Sequence, residues 1–282
     1  MEFPLQLASE VERNVLAALV EDIGGGDLTA LLTSANRRAF GIVVTREDAV
    51  LAGQAWFDAC FRHLDPTARI VWSAKDGEPI VAGQTICEVQ ADTRALLTAE
   101  RPALNFLQLL SGTATMTSHY VAAVAGTRAS IVDTRKTLPG LRLAQKYAVR
   151  CGGGINHRLG LYDGILIKEN HILAAGGVAA ALQKAYTLAC HDMFVEIEVE
   201  SIEQLAEALD AGAKMILLDN MDLAQMHQAV GLTAGRAQLE ASGGVRLETV
   251  RAIAETGVDR ISVGSITKDV RAIDLSLRHV EQ

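Results

Sequence analysis

From about residue 130 onward the chain alternates short apolar runs with helical patterns, and this restricts its fold more than any other feature. Strand-like runs fall at residues 131–135, 164–168, 194–200, 215–219, 237–242 and 260–264. Between them, segments such as 202–211 and 247–256 repeat apolar residues at helical spacing. Strands joined through helices run parallel, and such a sheet is covered on both faces. Six clear strands fall short of the eight in a closed barrel. The fold class is therefore α/β, an incomplete (six- or seven-stranded) α/β barrel with any seventh strand near Ala129, in preference to an open doubly wound sheet.

The preceding part has a different texture. Residues 11–20 carry a helical pattern, and Gly24, Gly25 and Gly26 then end it, leaving Asp27 to cap the next turn. From Ala39 to Val89 short strands are punctuated by turns at Asp76-Gly77 and Ala82-Gly83, with one helix near residues 56–64. This predicts an N-terminal α+β sandwich domain over residues 1–110, ahead of a barrel over residues 111–282 whose last helix packs back on the first domain. A long helix is expected from Thr98, with Pro102 in its first turn. The small sandwich also resembles biotin- and lipoyl-carrier domains. Lys75-Asp76 is a poor match to their modified lysine, however, and a structural shell is the preferred reading.

Polar residues gather where the barrel strands end, which is where barrels build active sites. Arg135 and Lys136 end the first strand, Lys168 the second, Glu198 and Glu200 the third, and Asp219 the fourth. Ser242-Gly243-Gly244 and Gly264-Ser265 follow the last two, where glycine lets backbone N–H groups approach a phosphate. Between Asp133 and Lys168 seven basic residues face two acids, whereas the whole chain carries a net charge of −8. A basic island on an acidic chain points to a small anion and away from nucleic acid. Glu196, Glu198 and Glu200 share one face of their strand. Inward carboxylates beside Asp219 need cationic partners, and a hydrated magnesium ion suits them. Two arginines and a lysine, Arg135, Arg158 and Lys168, suit a rigid diacid, with His157 a further contact.

Cys60, Cys87, Cys151 and Cys190 show no C-x-x-C spacing and read as reduced, buried thiols. The N-terminal stretch has acids where a signal peptide needs bases, and no apolar run reaches membrane-spanning length. No membrane association is expected, and the cytoplasm is the expected compartment.

The runs DTRKT-PGLR (from Asp133), KYAV-CGGG-NHR-GL-D (from Lys146) and LIKENH (to His171) are linked signatures in order. Together they resemble quinolinate phosphoribosyltransferase, the decarboxylating enzyme of NAD biosynthesis. The resemblance implies that quinolinate and 5-phosphoribosyl 1-diphosphate react to nicotinate mononucleotide, pyrophosphate and carbon dioxide, with Mg2+ as cofactor. It implies Lys136, Glu198 and Asp219 as catalytic residues, the acids contacting ribose and, through water, the metal. Quinolinate would be held by Arg101, Arg135, His157, Arg158 and Lys168. The diphosphate donor would meet Thr134, Lys136, Glu198, Asp219, Ser242, Gly243, Gly244, Val263, Gly264, Ser265 and Lys268. Some relatives carry a histidine at the position of Lys268. Glu196 and Glu200 would pair with core bases. Arg101 would complete the site of a neighbouring subunit, which makes a homodimer, or a higher homo-oligomer, the working unit.

Two other readings differ in activity. A sister branch linked to molybdenum uptake tends to lose the K-E-N-H run, which Lys168 to His171 retain. A Schiff-base aldolase also places a lysine above phosphate loops. Lys168 beside two arginines is better suited to charge pairing than to serving as a neutral amine.

Overall fold

The computed structural model describes residues 5–34, 37–190 and 193–280. Its strands are Arg38–Thr45 (β1), Ala49–Val50 (β2), Arg69–Trp72 (β3), Pro79–Ile80 (β4), Thr85–Asp92 (β5), Ser130–Val132 (β6), Ile165–Ile167 (β7), Val195–Val199 (β8), Met215–Asp219 (β9), Gln238–Ser242 (β10), Arg260–Ser262 (β11) and Leu275–Val280 (β12). The chain divides into two compact units. The first takes residues up to Ser118, then Thr137–Gly153, then Ile266 onward; the second takes His119–Lys136 and Gly154–Ser265. The chain thus enters the first unit three times.

The second unit is the incomplete α/β barrel. Its six strands pair in the order β6-β11-β10-β9-β8-β7, and every pairing is parallel. A seventh contact comes from Ile155, which forms a lone parallel bridge to Val132. It does not come from the neighbourhood of Ala129, because Ser130 is already paired with Arg260 in β6. The two ends of the sheet are therefore Ile155 and β7, and the residues between them span the gap. Val132, Ile197, Val199, Ile216, Leu218, Ala241 and Ile261 are fully buried along these strands, as expected of strands covered on both faces. The helix Ile202–Asp210 is capped by Ser201, whose Oγ accepts the Gln204 N–H at 3.2 Å. Asp222 caps Leu223–Thr233 by accepting the Gln225 N–H at 2.8 Å.

The first unit holds the antiparallel sheet β12-β1-β5-β3 and the small pair β2-β4. The C-terminal segment does return to this unit, but as strand β12 and not as a helix. Leu275 and Leu277 alternate into the core, a period of two that suits a strand. The helix expected from Thr98 is Thr93–Ala123, with Pro102 inside it. Asp92 starts it early, since its Oδ1 accepts the Arg94 N–H at 3.0 Å. The turn at Lys75-Asp76 is tied down rather than presented, because Asp76 accepts the Tyr147 hydroxyl at 2.8 Å; this supports a shell and not a carrier. Cys60, Cys87 and Cys151 are buried, whereas Cys190 is exposed, at variance with the expectation for all four. Among the described residues no helix is long and apolar enough to cross a membrane.

Asp65 ties two strands of this unit, β1 and β5, to the turn that leads into β3. Its carboxylate takes Arg38 Nη1 at 2.7 Å, Thr67 Oγ1 at 2.6 Å, and the N–H groups of Thr67 and Asp92 at 2.9 and 2.8 Å. Burial works to raise its pKa, but these hydrogen bonds and Arg38 prevail and hold it down at about 2. Asp65→Ala should cost roughly 2–3 kcal/mol in denaturant unfolding at pH 7, because it removes several hydrogen bonds to a charged group, one of them to Arg38. A carboxylate with a depressed folded pKa stabilises above its unfolded value and loses that effect as pH falls. The gap between variant and parent should therefore narrow from about pH 4 downward through about 2.

Candidate active site

The site is built outward from the end of β6. Asp133, fully buried, accepts the His157 N–H through Oδ1 at 2.8 Å and Asn156 Nδ2 through Oδ2 at 2.6 Å. A strand end thereby holds the loop that crosses the gap in the barrel. Arg158 follows in that loop, and its Nη1 donates to the Gly164 carbonyl just before β7, at 3.1 Å. Burial lowers the Arg158 pKa, and the neighbouring Arg135 lowers it further, with Asp163 and Glu196 opposing. Two guanidiniums that repel one another inside a protein make a site that an anion relieves.

Lys168 leaves the end of β7 in extended conformation, and its backbone N–H is received by His171 Nδ1 at 2.9 Å. Its ammonium meets Glu198 Oε2 at 2.6 Å. That ion pair engages the nitrogen that an imine would need free. On β8, Glu196 is fully buried and Glu198 is largely so. Glu200 lies beyond the strand and is exposed, so it pairs with no core base. The strand ends at Val199, and the Glu200 N–H turns to Gln204 Oε1 at 2.8 Å.

Asp219 ends β9 beside its register partner Ser242 on β10. Asn220 adopts φ +54° and donates Nδ2 to Asp219 Oδ2 at 2.8 Å. Asparagine is among the few residues that tolerate this conformation. A side chain at Gly243 (φ +101°) would collide with Asn220, while Gly244 (φ +59°) faces open space. The first glycine is needed for close packing and the second for exposed, positive-φ backbone. Val263 is buried and offers its N–H to Val132 at 2.9 Å, so its part is in the backbone. Gly264 lies under Lys136, where an added Cβ would stand 3.0 Å from Lys136 Cδ and 3.5 Å from Thr134 Oγ1. Thr134 Oγ1 accepts the Lys136 N–H at 3.0 Å, and Ser265 Oγ lies 3.4 Å from Tyr120 Oη.

The structure thus gathers Thr134, Arg135, Lys136, Arg158, Lys168, Glu198, Asp219, Ser242, Gly243, Gly244, Gly264 and Ser265 at the C-terminal strand ends of the second unit. His157 is different. Its ring is buried, with Nδ1 accepting the Arg158 N–H at 2.8 Å and Nε2 lying 2.7 Å from Glu196 Oε2. Arg101 is exposed on the long helix of the first unit, and Lys268 is exposed at the end of the helix Ser265–Lys268. Sequence reasoning missed Asp133, Asn156, Asn220 and His171 as holders of the site. Only the density of polar residues around the motifs hinted at them.

His157, Glu196 and Glu240 lie close enough to suggest a metal centre. The tautomer argues otherwise. Nδ1 accepts a backbone N–H, so the proton of a neutral ring sits on Nε2, the atom that would have to bind the ion. Arg260 Nε also occupies Glu240 Oε2 at 2.8 Å. Burial, and next the Glu196 carboxylate, push the Glu240 carboxyl up to about 7. Glu198 and Asp219 fit a cation better. They end neighbouring strands and are partly exposed, and two carboxylates suffice for a magnesium ion that keeps its waters and shares substrate phosphates.

Two family models match the chain. Quinolinate phosphoribosyl transferase, N-terminal domain, matches residues 27–111, and the C-terminal domain of the same name matches residues 113–278. The probable nicotinate-nucleotide pyrophosphorylase (carboxylating) of Bacillus subtilis is 43% identical over 92% of this chain and 89% of its own. The Mycobacterium leprae protein of that name, without the qualifier, is 45% identical over 92% of this chain and 94% of its own. The solved nicotinate-nucleotide pyrophosphorylase of Francisella tularensis superposes with a TM-score of 0.95 at 44% identity. That match covers 99% of this chain and 98% of the other.

Proposed function

The chain belongs to the quinolinate phosphoribosyltransferase family, and from that premise we propose how its residues divide the work of the family reaction. The activity is that of a pentosyltransferase of NAD biosynthesis, whose relatives are named for the reverse, carboxylating direction. Quinolinate and 5-phosphoribosyl 1-diphosphate give nicotinate mononucleotide, pyrophosphate and carbon dioxide. The observation that carries the residue assignment is the buried Arg158, held by the Gly164 carbonyl at 3.1 Å just ahead of the strand whose end presents Lys168.

Arg135, Arg158 and Lys168 hold the two carboxylates, and this orients the pyridine nitrogen toward the sugar. His157 acts behind them, since its ring nitrogens are engaged within the barrel. The nitrogen forms a bond to the anomeric carbon as the bond to pyrophosphate breaks. Positive charge builds on the ribose during this step, and Glu198 and Asp219 stabilise it. Lys136, resting on Gly264, neutralises the departing diphosphate, with Thr134, Ser242, Ser265 and Lys268 nearby in the sequence of loops that take the phosphates. The backbone at Gly243, Gly244 and Gly264 lines the same approach, with the Val263 N–H held in the sheet by Val132. Glu198 and Asp219 would hold a magnesium ion, which would supply charge neutralisation for the diphosphate. The quaternised ring then takes the electron pair left by carbon dioxide, and the ring carbon gains a proton. No residue serves as a covalent nucleophile.

Nicotinate mononucleotide should form when the protein meets quinolinate, the diphosphate donor and magnesium, and its formation should stop in a chelator. Turnover that persists in excess chelator, or with ribose 5-phosphate as donor, contradicts the assignment of Glu198 and Asp219 to a metal-bound diphosphate.

The working unit is a homodimer in which Arg101 reaches the neighbouring subunit's quinolinate site. Its exposure on the long helix, with the family match over residues 27–111, supports this. Arg101→Ala and Lys136→Ala proteins should each be nearly inactive. Co-refolded, they should regain up to about a quarter of parental activity, because a two-fold dimer can assemble one intact composite site. Heterodimers that regain nothing would show that each subunit supplies its own Arg101.

A further inference from the structure

Glu196 and Glu240 stand out among the groups the reaction does not use. Both are buried carboxylates on barrel strands, and each leaves Oε1 without a hydrogen-bond partner. Glu196 spends its other oxygen on His157 Nε2 at 2.7 Å, while Glu240 lies farther from the same nitrogen, at 3.8 Å. The imidazole is also held from the side, its ring meeting Phe194 edge-on at 5.3 Å between centroids. Its backbone N–H is fixed by Asp133. What remains to be set is which ring nitrogen carries the proton.

We propose that Glu196 is a positioning residue for quinolinate binding, acting on Arg158 through the tautomer of His157. The buried carboxylate draws the ring proton to Nε2, which leaves Nδ1 bare. Nδ1 then accepts the Arg158 N–H at 2.8 Å, the backbone group from which the substrate-facing guanidinium extends. With the proton on Nδ1 the same two groups would be donor against donor, and Arg158 would be displaced. The Gly164 carbonyl, which takes Arg158 Nη1 at 3.1 Å, completes the hold on the side chain. Three buried contacts in series, carboxylate to ring, ring to backbone and guanidinium to carbonyl, thus aim one cation across the gap of the barrel. The inference rests on the reading that Arg158 holds a quinolinate carboxylate.

The test compares Glu196→Met, which removes the acceptor at similar length, with Glu196→Gln, which keeps one. Quinolinate and diphosphate-donor dissociation constants are measured separately, with Arg158→Ala as reference. Glu196→Met should weaken quinolinate about tenfold, the order of a lost hydrogen bond to a charged group, and leave the donor within about twofold. Glu196→Gln should restore quinolinate affinity. Combined with Arg158→Ala, Glu196→Met should add little, because both act on one contact. The 15N spectrum of His157, assigned by its absence in His157→Gln, should show the Nε2–H tautomer in the parent and Glu196→Gln proteins and lose it in Glu196→Met. Should Glu196→Met not fold, the Glu196→Gln spectrum and affinity still decide: an Nδ1–H ring with unchanged quinolinate binding would overturn the inference. A folded Glu196→Met that binds quinolinate normally, or weakens both substrates alike, would also overturn it. Parental protein that does not bind quinolinate at all would instead overturn the reading of the site.

Discussion

A buried carboxylate at the end of the first barrel strand decides where the chemistry can stand. Six parallel strands and one bridge do not close a barrel, so one side needs a covering segment whose polar backbone must be satisfied without a strand partner. Asp133 does this by accepting from both Asn156 and His157. The burial of this acceptor raises the penalty for losing either hydrogen bond. Arg158, Gly164 and the ring of His157 then find their partners from that starting point. The loop that fills the gap is also the loop that carries a substrate cation, so closing the fold and shaping the site are one event.

Charge arrangement follows from the same geometry. The strand ends bring Arg135 and Arg158 together, pair Lys168 with Glu198, and set Asp219 beside the glycine loop of β10. The surface ion pair of Lys168 adds little to stability, because it is half exposed. Its worth lies in holding a cation and an anion at adjoining strand ends, one suited to a carboxylate and the other to a developing ribose cation. Below this layer the barrel interior carries His157, Glu196, Glu240 and Arg260, a polar core that orients the residues above it.

Much of this was legible in the sequence, for definite reasons. The alternation after Ile131 marks each barrel strand to within a few residues, because buried parallel strands need unbroken apolar runs. The residues at their ends follow from the same count. The seventh contact was misplaced because a single bridge at Ile155 has no period to detect. The C-terminal strand was missed because Leu275 and Leu277 offer too short an alternation. Glu200 shares the two-residue period of Glu196 and Glu198, yet β8 ends at Val199 and releases it to the surface. His157 has the composition of a ligand contact. Only the positions of Glu196 and the Arg158 N–H show that both of its nitrogens are engaged.

The account depends most directly on where the diacid lies. A crystal structure of the protein with quinolinate bound tests that in one measurement. One carboxylate should lie within hydrogen-bond distance of Arg158 and Arg135, the other near Lys168, and the His157 ring should still face Glu196. Quinolinate bound away from these three cations, or joined covalently to Lys168, would contradict the account.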